Sequence, residues 1–87
     1  MDNKQYVFEL ATVLHRAKAT LPASELANVL NEFNHLTTYG SQYSGGRGTY
    51  KLISDTYAWL VKNGNQNGAD IVAIAFTKPD GSYAYEK

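Results

Sequence analysis

The sequence predicts an α+β domain in which three amphipathic helices precede a C-terminal β-hairpin. Three observations carry this. Apolar residues recur at three- and four-residue steps through residues 4–33 and again through 49–63, which is the helical period. After residue 70 the period shortens to two, and Lys78-Pro79-Asp80-Gly81 then supplies a strong turn signal. A chain of 87 residues accommodates one domain, residues 1–87, and one small core.

The first helix is expected over residues 4–18, where Val7, Leu10, Leu14 and Ala17 form the stripe and Lys4, Glu9, Arg16 and Lys18 lie mostly off it. Thr20-Leu21-Pro22 breaks it, with a short extended piece at Thr20 and Leu21, because proline cannot extend the first helix yet is tolerated in the opening turn of the next. The second helix covers about residues 23–33, with Leu26, Ala27, Leu30 and Phe33 on one face and Glu25 near its positive end. The third runs from about Thr49 to Asn63 and stops at Gly64. Its apolar side is Leu52, Ile53, Tyr57, Leu60 and Val61; its wet side is Lys51, Ser54, Asp55, Ala58 and Lys62. After the polar spacer 63–68, residues 71–76 alternate as a strand, the turn follows, and residues 82–86 alternate again with Tyr83 and Tyr85 on one face.

Apolar residues at 44% and charged residues at 18% fit a folded globular chain. Eight basic and eight acidic side chains cancel, which argues against binding by bulk electrostatics. The distribution is uneven: residues 33–54 contain Arg47 and Lys51 and no acid. With no cysteine, disulfides, thiol catalysis and cysteine-ligated zinc are excluded. No apolar run has signal-peptide or membrane-span length, so a soluble, cytoplasmic protein with no membrane association is expected.

Three helices, an extended piece after the first and a terminal hairpin together resemble a winged-helix (helix-turn-helix) DNA-binding domain in element order. On that resemblance LPASELANVLNEF is the positioning helix, TYKLISDTYAWLVKNG the recognition helix and the KPDG turn the wing. A helix-turn-helix joins its two helices by three or four residues, whereas here residues 34–48 intervene. Either the second helix continues through His35 and Thr38 with a functional insertion after it, or this is a different three-helix α+β domain.

The most informative stretch is 34–63, a loop with Gly40, Gly45, Gly46 and Gly48 threaded by Tyr39, Tyr43 and Tyr50 that feeds a helix start. Such a loop is one way to grip a phosphate backbone. Arg47 and Lys51 are the expected phosphate contacts, Thr49 a helix cap or backbone donor, and Tyr39, Tyr43 and Tyr50 stacking or interface residues. Lys51 and Ser54 would face a major groove, with Lys78 at the wing touching a neighbouring phosphate. The plainer alternative is a permissive glycine loop with Arg47 solvated or paired to Asp55, and a solvated helix face.

The string from Gly40 to Arg47 lacks the lysine and hydroxyl of a phosphate-binding P-loop, and no strand precedes it. His15 and His35 have no spacing that suggests a shared metal, and no nucleophile has an evident base; no catalysis, cofactor or metal is expected. Two functions follow as expectations. The first is a small DNA-binding regulator or accessory factor, of bacterial or phage type, acting on double-stranded DNA as a homodimer. The alternative is a non-enzymatic protein-interaction module, such as an inhibitor, immunity-type or adaptor protein, anchored by the loop 39–50.

Overall fold

The computed structural model describes residues 3–33 and 47–85, with Arg47 described by its backbone alone. Its elements run α1 (Asn3–Arg16), β1 (Leu21–Pro22), α2 (Ala23–Glu32), α3 (Arg47–Lys62), α4 (Gln66–Ala75) and β2 (Phe76–Thr77). The α1, α3 and α4 helices pack on one another, α2 leans on α3, and the two short strands pair in parallel with Leu21 opposite Phe76. The architecture is thus mostly helical with a small sheet, broadly an α+β arrangement. None of the described helices is long and apolar enough to cross a membrane.

The core follows the expected stripes with three exceptions, the first being Ala17, which is exposed because α1 ends at Arg16. Val7 and Ala11 of α1, Leu26 and Leu30 of α2, and Leu52, Ile53 and Leu60 of α3 are buried. Phe33, expected on the inner face of α2, stands 62% exposed as the C-cap, one residue beyond the end of that helix at Glu32. Val61, placed on the apolar side of α3, is 42% exposed; the buried line of that helix runs through Thr49, Leu52, Ile53, Thr56 and Leu60 instead. The Thr56 hydroxyl sits in this line without an orphan donor, since it donates to the Leu52 carbonyl at 2.7 Å.

The largest correction falls on residues 71–76. They were expected as a strand; through Ala75 they are the helix α4. A run of large and small aliphatics satisfies either period when it is short. What selects helix is the preceding corner. Leu60 and Val61 carbonyls accept from the Asn65 and Gly64 amides, with Gly64 at φ 77°, which closes α3 by a Schellman motif. The same Asn65 then caps α4, its side-chain oxygen accepting from the Gly68 amide at 2.9 Å. The supposed spacer is therefore two helix ends sharing one residue. Gly68, Ala69, Val72, Ala73 and Ala75 are then buried at helical spacing between α1 and α3.

The terminal hairpin is reduced to one antiparallel bridge, Thr77 with Tyr83. Its turn is where the sequence places it. The Gly81 amide donates to the Lys78 carbonyl and the Lys78 amide to the Ser82 carbonyl, with Gly81 at φ 89°, a turn followed by a left-handed glycine. The Asp80 carboxylate accepts from the Ser82 hydroxyl at 2.6 Å and the Ser82 amide at 2.9 Å. Those two bonds, the hydroxyl's first, hold the exposed Asp80 carboxyl below its ordinary pKa, with Lys78 adding a little. A depressed folded value means that this contribution is complete above the unfolded carboxylate value of about 3.9 and is lost as pH falls through the lowered one. The Ser82 amide resonance should report that step, and Asp80→Asn should remove it.

The α1 helix also ends in a Schellman motif, the Ala19 amide donating to the Leu14 carbonyl and the Lys18 amide to that of His15. Here the left-handed position, φ 55°, is held by Lys18 rather than glycine. Lys18→Gly should therefore stabilise the fold by about 0.5–1 kcal/mol, read from chemical denaturation. A destabilisation would mean that the helix does not end there.

Candidate interaction site

Of the residues singled out in the sequence, the ones whose side chains are described, Thr49, Tyr50, Lys51, Ser54 and Lys78, do not all share one exposed face. Tyr39 and Tyr43 lie outside the described residues, and Arg47 is placed only as the first residue of α3. Thr49, expected as a cap or donor to a ligand, is fully buried in the third position of α3, since the helix starts two residues earlier than expected. Tyr50 is half-buried and packs against the core, so it presents less than a free stacking platform. Lys51 and Ser54 do project from α3. Lys51 Nζ, however, sits 2.7 Å from Asp55 Oδ2, with the two side chains 73% and 45% exposed. An exposed i,i+4 pair of this kind adds only about 0.3–0.5 kcal/mol, but Asp55 offsets the charge that Lys51 would offer a phosphate. Lys78 is half-buried at the turn.

Tyr57 and Trp59 pack against the core, as their helical positions imply. Tyr57 stacks on Tyr85 with ring centroids 4.1 Å apart and planes 20° from parallel. Gln66 links this pair to α4, donating to the Tyr57 hydroxyl at 3.2 Å and to Asp70 at 2.9 Å. This pins the segment after the turn to the helices, and its polar atoms are used in structure.

A second feature was not anticipated. The end of α1, the outer side of α4 and the hairpin turn enclose a cleft of about 210 Å³. Ile71, Ile74 and Ala75 supply an aliphatic wall from α4, and Tyr83 closes one end. His15, Lys18, Ala19 and Thr20 form the opposite lip, from the turn that ends α1. Ile74 and Tyr83 remain 43% and 50% exposed, so the wall is open to solvent. Among the lining residues Lys18 carries a formal positive charge and none is acidic. Small-molecule sites occupy roughly 300–1,000 Å³, so the cleft suits one or two inserted side chains better than a substrate. Sequence reasoning missed it because Ile71 and Ile74 share a face only on a helix, where they are one turn apart. Tyr83 is expected on a strand face, and His15 carries no expected role.

Among the described residues no group of three or more His, Asp or Glu side chains is placed to hold a metal ion. Every buried side-chain nitrogen or oxygen among them has a hydrogen-bond partner. No protein-family model, curated protein or solved structure matches this chain.

Proposed function

We propose that this chain is a small protein-binding module that acts without catalysis, in the manner of an inhibitor, immunity-type or adaptor protein. The observation that carries this is the open aliphatic cleft between α1, α4 and the turn, with Ile74 and Tyr83 exposed in it. Exposed apolar groups clustered in a concavity and rimmed by polar residues are what protein interfaces use. A formal charge of zero and seven tyrosines in 87 residues point the same way. The test is affinity capture from the source cell with the wild type, Ile74→Asp and Lys51→Ala, followed by direct titration of the purified partner. The reading expects one partner that Ile74→Asp loses and Lys51→Ala keeps. Loss through Lys51→Ala alone would place the interface on α3.

A second reading, DNA binding through a winged-helix-like arrangement, is favoured by the exposed row Lys51, Ser54 and Ala58 on α3 beside α2. A homodimer would double so small a footprint. Under this reading a short duplex shifts the amides of residues 47–58 and 78–81 in a salt-sensitive way. Absence of such shifts at low salt would remove it.

A further inference from the structure

We infer that the cleft receives Phe33 of a second copy of this chain, in a reciprocal dimer in which each copy offers one cleft and one phenyl ring. This rests on reading the cleft as a protein-docking site, and it names the occupant.

The argument is one of complementarity. The cleft has an aliphatic wall in Ile71 and Ile74 and, on its lip, the cation of Lys18. It therefore asks for an apolar anchor with an acid beside it. The α1 carbonyls at that lip, those of Val13, Leu14 and His15, already accept from the Ala17, Ala19 and Lys18 amides. The charge of the lip is accordingly set by its side chains and not by bare helix carbonyls. The chain itself carries the matching piece. Phe33, at 62%, has the greatest exposure of its large apolar side chains among the described residues, and the exposed Glu32 precedes it at the end of α2.

Size argues for reciprocity. Stable protein interfaces bury about 1,200–2,000 Å² in total, and one inserted aromatic ring supplies only about 150–250 Å². A two-fold dimer makes the same contact twice and closes on itself, whereas a head-to-tail contact would propagate. A nucleic-acid occupant fits less well, because an aliphatic wall offers bases little to stack on and one lysine neutralises few phosphates.

The test is sedimentation velocity of the full chain from roughly 10 µM to 1 mM, with a charge swap across the proposed contact. The expected result is a mass that rises with concentration from 9.6 kDa toward twice that. Phe33→Ala and Ile74→Asp should each abolish the rise. Lys18→Glu and Glu32→Lys should each weaken association about two- to fivefold or more, and the double variant should restore it. All four positions are exposed, and unchanged amide spectra would show that the fold is intact. A chain that stays monomeric throughout the range overturns the inference. So does a dimer indifferent to Phe33→Ala, or one that the double variant fails to restore. None of these results touches the capture of a different partner, which Ile74→Asp tests separately.

Discussion

Phe76→Ala should remove about 3–5 kcal/mol of folding stability, the largest single loss expected in this chain. Phe76 is the largest fully buried side chain among the described residues. It stands where α4 passes into β2, pairs with Leu21 across the parallel register, and its carbonyl accepts from the Ala84 amide at 2.8 Å. Truncation leaves a cavity at the joint between helices and sheet. At roughly 0.05–0.15 kcal/mol per residue a domain of this size holds only about 4–13 kcal/mol in total, so the variant stands near unfolding at room temperature. The control is Ile74→Ala. On a strand, Ile74 and Phe76 would face the same side and the two substitutions would hurt alike. On the helix–strand joint seen here Ile74 is 43% exposed, and its truncation should cost under about 1 kcal/mol. Equal losses in urea denaturation would contradict α4.

Gly68→Ala should destabilise by about 1–3 kcal/mol although alanine is the better helix former by up to about 1 kcal/mol. A methyl group there would lie 2.8 Å from the Phe8 ring and 2.7 Å from the Asn65 side-chain nitrogen. Asn65 must then leave the Gly68 amide, and the cap of α4 is lost at about 1 kcal/mol. The mechanism has a specific signature. In an Asn65→Ala background the cap is already gone, so Gly68→Ala should cost less there than in the wild type. Additive losses would assign the effect to Phe8 alone. Gly64→Ala makes a useful contrast: it has open space around it and a positive φ, and should lose about 1 kcal/mol by backbone strain only.

Much of this molecule was legible in its residues. The stripes of α1, α2 and α3 gave most of their inner faces, Ala17, Phe33 and Val61 excepted, because a helix that must bury one side shows it at every turn. Pro22 and Gly64 marked element ends through their own backbone limits, and Lys78-Pro79-Asp80-Gly81 folds into the expected turn. These are local effects, decided within four or five residues. Residues 71–76 were misread because a short run of isoleucine, valine, alanine and phenylalanine satisfies both periods equally well. The candidate site was less legible still. Lys51, Thr49 and Tyr50 were grouped by proximity in sequence, yet the helix turns them to three environments: an ion pair, the core and its margin.

By itself, then, the sequence determined where α2 and α3 stop to within a residue, most of the inward positions of α1, α2 and α3, and that the chain carries no net charge and no thiol. Only the tertiary structure decided that a fourth helix lies between α1 and α3, that residues 21–22 meet 76–77 in parallel, and that α1, α4 and the turn enclose an open cleft. The physical reason is the range of the forces. Capping, turn chemistry and periodicity act over one helical turn, whereas a cleft exists only where segments more than fifty residues apart, such as those of Lys18 and Ile74, are packed side by side.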